Sequence, residues 1–293
     1  MSLHPPAPSD LGELVDAYAQ TVRNVIDLGR TTRPGDESLP TDCPGWSVLD
    51  QFAHIASTEA MAAGEPLPDV DVSRHDHVRH AFGERIERYL ESRRGRSLEE
   101  VLDELEERRD ERLALYRSGT AWAQTPVAGP FGPTTLGALL GIRVFDIWMH
   151  EQDIREALGR PGGLESGAAS HTVAQLFEAL PRIVAKTAAI EPGNAVVLDL
   201  TGPTTGRAGV RVEEQDGRAV GVPLFTGGAE DHGDAVTTSL TMSTQVATRL
   251  AGGRRRPQDA HVVVHGDDAV AQRGRAAMTI APWRAEEGGT MGT

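Results

Sequence analysis

"RVFDIWMHEQDIREAL", residues 143–158, reads as a helix that places charge where it should hide apolar surface. Successive helical residues turn by about 100°. Asp146, His150 and Asp153 therefore fall in one narrow stripe, which Leu139, Ile142, Met149 and Ala157 share or border. Glu151 and Arg155 fall on the opposite side, where a solvated face is expected. Burying three titratable groups is costly unless something compensates them. Two compensations are open. Arg143, one turn before Asp146, can pair with it. Alternatively, Asp146 and His150, at i and i+4, project the same way and can share a metal ion.

Working outward, the upstream chain also reads as helices. Leu11, Leu14, Val15, Tyr18, Val22, Val25 and Ile26 recur at helical spacing, and the run ends at Gly29 and the loop "TTRPGDESLPTDCPG". A second helix starts at Ser47, with Asp50 three positions on as a capping-box variant, and runs to about Ala63. A third helical region covers about Asp76 to Arg117. It is interrupted near "RRGRS", where Ser97 can cap the next segment. "GTAWAQTPVAGPFGPTT" reads as a loop, and the quoted helix opens at Thr134 or Thr135. Residues 1–160 are thus expected to form a four-helix bundle.

The pattern changes after "LGRPGG". One helix, about Ser166 to Ala189, leads into the strand-like runs "AVVLDL", "AGVRVEE", "AVTTSLTM", "AHVVVHG" and "AAMTIAP". Asp216-Gly217 is a hairpin signal, and "STQVATRLAGG" and "DDAVAQRG" read as short helices. Residues 161–293 are expected to be a smaller α+β domain with a mostly antiparallel sheet. The fold class is therefore a two-domain α+β protein.

Composition excludes some functions. A net charge of −14 argues against a nucleic-acid binder, which needs a basic surface. No apolar run approaches membrane-spanning length, and "MSLHPPAPSD" carries no secretory signal, so a cytoplasmic protein is expected. Lysine occurs once, at Lys186, which reads as the bias of a GC-rich genome. The single cysteine, Cys43, excludes an intramolecular disulfide and a cysteine-rich zinc site. No basic partner for Cys43 can be assigned from the sequence, so it reads as a packed thiol in a turn.

Bundle sites are built from side chains facing each other across the core, so a ligand must come from another helix. Ten histidines are available. His4 is in the tail, and His75, His77 and His80 lie in "RHDHVRH" among charges, where a solvated surface is expected. His171, His232, His261 and His265 belong to the second domain. His54 lies mid-helix in "GWSVLDQFAHIASTEA". Its face carries Ser47, Asp50, Thr58 and Met61, while Leu49, Phe52, Ile55 and Ala56 point the other way. Periodicity alone makes His54 solvent-facing. The alternative is that this polar face lines a wet cavity.

"CPGWSVLDQFAHIAS" followed by "RVFDIWMHEQDIREALG" resembles the mycothiol-dependent maleylpyruvate isomerase family. That family has a DinB-like bundle followed by a sterol-carrier-protein-like domain, which "RLAGGRRRPQDAHVVVHGDDAV" and "MTIAPW" resemble here. The resemblance implies that His54, Asp146 and His150 bind one divalent metal, with zinc the expected ion, and with aspartate where the isomerase has glutamate. Two histidines and one carboxylate leave tetrahedral zinc an open position, which can bind and deprotonate a thiol. The implied thiol is mycothiol, in an actinobacterial host, and the implied partner is an electrophilic small molecule. The outcome is thiol S-transfer or cis–trans isomerisation. Asp153 is expected to orient a ligand imidazole. Arg143 is expected to clamp a substrate carboxylate or to pair with Asp146. Arg249 or Arg254 is expected to be the second domain's arginine near the site. The alternatives are a non-catalytic DinB-like metal-binding stress protein, or a small-molecule or lipid binder acting through the C-terminal domain. No nucleic-acid or membrane partner is expected, and the chain is expected to be a monomer or a homodimer.

Overall fold

The structure is a computed structural model that describes residues 2–120, 122–225 and 236–280. Two compact units emerge. One covers residues 8–163. The other joins residues 164 onward to the first seven, because β1 (Ser2–His4) pairs antiparallel with a strand of that unit's sheet. The sequence assigned those first residues to the bundle. A three-residue strand leaves no periodicity to read, so only its pairing reveals it.

The first unit is built on α1 (Leu11–Arg30), α2 (Val48–Ala62), α3 (Ala81–Glu91), α4 (Leu98–Tyr116) and, after the hairpin β2 (Pro126–Gly129) and β3 (Gly132–Thr135), α5 (Leu136–Ala157). Each helix begins where a side chain accepts a hydrogen bond from an otherwise unpaired backbone N–H. Asp10 caps α1 and Thr135 caps α5. Ser47 with Asp50, and Ser97 with Glu100, form reciprocal capping boxes on α2 and α4. Helix α1 packs on α4 and α5, and α2 packs on α3, α4 and α5. The expected four-helix bundle is therefore made of α1, α2, α4 and α5. Helix α3 is an addition on α2, and the expected third helical region starts at Ala81 rather than Asp76.

Two helices depart from simple amphipathicity. Between Gly141 and Ile154, α5 is buried on every side except at half-buried Ile142. Glu151, expected on a solvated face, is fully buried against α1. There it accepts from Thr21 Oγ1 at 2.7 Å and Asn24 Nδ2 at 3.3 Å. Helix α2 is likewise buried nearly all round, so its polar face points inward, not outward. A helix flanked by neighbours on both sides has no solvent stripe, and periodicity then cannot tell one face from the other.

The second unit packs α6 (Gly167–Arg182) on a six-stranded sheet. The strands β4 (Asn194–Thr201), β5 (Thr205–Gln215), β6 (Arg218–Leu224), β7 (Val236–Ser243) and β8 (Val263–His265) join β1 in the order β1-β5-β4-β7-β8, with β6 also on β5. Only β4 and β7 run parallel. Asp216-Gly217 makes the β5–β6 turn with both residues at positive φ. Helices α7 (Thr244–Ala251) and α8 (Asp268–Ala276) complete the unit. Val173, Leu176, Phe177, Val196, Val210 and Leu240 are among its core residues. The run "AAMTIAP" is not a strand: α8 reaches Ala276 and residues 277–280 are irregular, while residues 281 and 282, like His232 and Trp283, lie outside the described residues. No helix among the described residues is long and apolar enough to cross a membrane.

Candidate metal centre

His54 on α2 and Asp146 and His150 on α5 meet inside the first unit. The imidazole rings of His54 and His150 lie 4.4 Å apart between centroids. His54 Nε2 is 3.6 Å from Asp146 Oδ2, and His150 Nε2 is 3.5 Å from Asp146 Oδ1. Two atoms each about 2.0–2.1 Å from a shared tetrahedral ion stand about 3.4 Å apart, so these spacings suit a common cation. All three side chains are nearly inaccessible, with Asp146 the most open at 9%.

Neither ring nitrogen of His54 has a hydrogen-bond partner among the described residues. An orphaned buried imidazole is costly. Burial and the neighbouring His150 push its pKa down to about 4, so it sits neutral, with Nε2 facing Asp146. A divalent cation would give that nitrogen a partner, and this is the observation by which the donor set fits a metal.

His150 is held differently. Its Nδ1 lies 2.6 Å from Gln51 Oε1 and 3.3 Å from Asp153 Oδ2. Gln51 is itself oriented because its Nε2 donates to Thr41 Oγ1 at 2.7 Å. Acceptors at Nδ1 orient the ring and turn Nε2 toward Asp146. Burial disfavours the charged imidazole, but hydrogen bonds to Asp146 and Asp153 outweigh it and hold the pKa well above the usual histidine value. Burial likewise opposes ionised Asp146. Its contacts to His150, His54 and Arg143 reverse that and hold it well below the carboxylate range.

Arg143 is buried, and its N–H groups are committed. Nη1 donates to Asp146 Oδ2 at 2.5 Å, while Nε and Nη2 donate to Glu59 Oε1 at 3.2 and 2.9 Å. Of its two expected roles, the geometry displays the ion pair. Arg249 and Arg254 belong to the second unit. Arg249 is buried in α7, and Arg254 donates to the Gly252 carbonyl at 2.9 Å.

Two other clusters among the described residues bring metal-type donors together. Cys43 Sγ donates to Asp153 Oδ2 at 3.3 Å, next to His150. The sequence assigned this thiol no basic partner, and the fold brings His150 and Asp153 to it, the latter across 110 residues. The thiol is engaged there as a donor to Asp153. The other cluster corrects the reading of "RHDHVRH" as a solvated surface. His77 Nε2 lies 3.0 Å from Glu87 Oε2, and His75 Nε2 lies 3.0 Å from Glu91 Oε2. A cation already fills this locus. The Arg94 guanidinium stands 2.8 Å from His75 Nε2, 2.6 Å from Glu87 Oε1, 2.5 Å from Glu91 Oε2 and 2.9 Å from Asp50 Oδ1. The cluster grips the "CPGW" turn: Gly45 has φ +79°, and a Cβ there would collide with the His77 ring. Gly45→Ala is expected to cost at least the ~1–2 kcal/mol of a left-handed non-glycine residue, read as a lowered unfolding midpoint in denaturant.

Sequence reasoning did not single out Gln51, Glu59 or Glu87. Gln51 lay within the motif stretch; Glu59 and Glu87 left no signal, because their partners are distant in sequence.

With this geometry in hand, comparison is informative. Residues 18–155 match the family described as the mycothiol maleylpyruvate isomerase N-terminal domain. Two crystal structures, of the mycothiol-dependent maleylpyruvate isomerase and of a histidine-to-alanine mutant, each superpose with a TM-score of 0.53. Each alignment covers 88% of this chain and 95% of theirs at 15% identity, a likeness of fold. No curated protein matches. Residues 18–155 are thus similar to the family of the mycothiol maleylpyruvate isomerase N-terminal domain.

Proposed function

We propose that the chain is a metal-dependent, thiol-using enzyme that acts on an electrophilic small molecule, with mycothiol as the thiol. The observation that carries this reading is the buried, unpartnered His54 facing Asp146 and His150. His54 and His150 would hold the ion by Nε2 and Asp146 by a carboxylate oxygen. When bound, zinc with an open position lowers the pKa of a bound thiol so that the thiolate exists at neutral pH. Gln51 and Asp153, both at Nδ1, orient the His150 ring so that Nε2 faces Asp146. Arg143 offsets the charge of Asp146, and burial keeps bulk water from the three donors. Two histidines and one carboxylate leave room for a fourth group, as catalytic sites do and structural ones do not.

Addition of the thiol to an activated alkene followed by elimination gives cis–trans isomerisation. Addition without elimination gives S-transfer. The match of residues 18–155 to that family supports the first outcome, and the single cysteine supports an external thiol in either. The test is turnover of an activated-alkene panel, maleylpyruvate included, by zinc-loaded protein with and without mycothiol. Mass spectrometry separates the outcomes: an unchanged mass is isomerisation, and a gain of one thiol is transfer. Cys43→Ser is expected to keep most activity, because serine can still donate to Asp153. Thiol-independent turnover, or abolition by Cys43→Ser with zinc retained, would show the nucleophile to be internal and sink the reading.

A further inference from the structure

Metal-binding imidazoles are usually oriented by a hydrogen bond from their second ring nitrogen to a carboxylate, carbonyl or water. His150 has such partners in Gln51 and Asp153. His54 has none among the described residues, although only 4% of it is accessible. The α2 backbone fixes where its Cβ points, but rotation about χ2 is broad for histidine. That rotation decides whether Nε2 faces Asp146. Some other contact must restrain it.

Trp46 supplies that contact. Its indole centroid lies 4.8 Å from the His54 ring, with planes at 41°, and 5.8 Å from His150 at 31°. The indole is itself fixed. Its Nε1–H donates to Glu87 Oε2 at 3.1 Å. Glu87, on α3, is 1% accessible, with His77 Nε2 on the same oxygen at 3.0 Å and Arg94 on the other at 2.6 Å. Arg94 also donates to Asp50 Oδ1 at 2.9 Å. Asp50 sits in the first turn of α2, the helix that carries His54. The indole and the imidazole it restrains are thus referenced to the same helix.

We infer that Trp46 is a positioning residue for the metal centre, its indole anchored on Glu87 and fixing the His54 ring plane in place of a hydrogen bond. The inference rests on the metal reading above and extends it to the "RHDHVRH" cluster, which through Glu87 anchors the wall of the site. The indole is half-buried, so its removal leaves a partly open surface and not a core void.

The test is zinc affinity by competition with a chromophoric chelator, together with the visible spectrum of the cobalt(II)-substituted protein. Trp46→Ala is expected to weaken zinc by about 10–100-fold, the range for loss of an outer-shell orienting group, and to alter the cobalt bands. Trp46→Phe keeps a ring against His54 and is expected to lose less. Glu87→Gln keeps an oxygen acceptor for the indole N–H and should bind zinc close to wild type, while Glu87→Ala should not. The double variant Trp46→Ala/Glu87→Ala should bind no more weakly than Trp46→Ala alone, because Glu87 acts through the indole. A merely structural Glu87 would add its loss to that of Trp46. If Trp46→Ala binds zinc like wild type while His54→Ala abolishes binding, the positioning role is overturned and the metal site stands. Additive losses in the double variant overturn the anchor. A wild-type chain that binds no zinc overturns both readings.

Discussion

His150→Ala and His54→Ala are each expected to abolish zinc binding and zinc-dependent turnover while leaving a folded, helical chain. The loss exceeds the about 10–100-fold expected for an outer-shell partner such as Asp153→Asn, because one of only three donors disappears. Folding is expected to survive because neither histidine caps a helix, and the ring contacts each loses are few beside the apolar packing of α2 and α5. His54 gives up a desolvated ring with no hydrogen bond, and His150 gives up bonds to side chains that keep other partners. Zinc content after dialysis and thermal unfolding with added metal make the check. Zinc at 100 times its Kd would stabilise the wild type by about 2.7 kcal/mol and leave both variants unmoved. Protein purified over nickel can carry that metal at the same donors, so it is stripped first. His75→Ala and His77→Ala should retain one zinc per chain. If they lose it while His54→Ala keeps it, the ion sits at the other cluster.

The second large effect concerns Arg143. Its guanidinium stands between two buried carboxylates, Glu59 at 2.9 Å and Asp146 at 2.5 Å. Burial opposes its charge, yet the two acids hold its pKa above the usual arginine value. Arg112 also faces Glu59, at 3.4 Å. Two cations thus balance two anions before any metal enters. Arg143→Ala leaves Glu59 with one cation and Asp146 with histidines alone, and removal of one partner of a buried pair costs about 3–5 kcal/mol. Against a total stability of about 5–15 kcal/mol, that brings the apo chain near unfolding. Arg143→Lys keeps the charge but cannot span both acids, so it should fall between. Added zinc should recover part of the loss by neutralising Asp146. Denaturant midpoints of the three proteins with and without zinc measure this. An Arg143→Ala chain as stable as wild type would mean that the acids are not buried as ions.

Much of the architecture was legible because local physics fixes it. The helical periodicity from Leu11 to Ile26, the Ser47/Asp50 and Ser97/Glu100 boxes and the Asp216-Gly217 turn each involve residues a few positions apart, and each appears where expected. The pairing of Asp146 with His150 on one helix was legible for the same reason, since i and i+4 share a face. The short strand β1 and the β2–β3 hairpin were not legible, being too short to announce themselves, and α3 was read only as the first part of a longer helical region.

What the sequence by itself determined is therefore most of the helices, the change to a sheet after residue 163 and the motif that resembles the mycothiol maleylpyruvate isomerase family. The tertiary structure decided which faces are inside. Periodicity turned His54 toward solvent and Glu151 toward water, and both are buried because α2 and α5 each have helices on more than one side. It also decided the partners. Cys43 meets Asp153 across 110 residues, Arg143 meets Glu59 across 84, and Trp46 meets Glu87 across 41. Contacts of that separation depend on the packing angles of whole helices, which no local spacing encodes. The donors of the metal centre could thus be nominated from the chain, but the groups that neutralise, orient and wall them in are products of the fold.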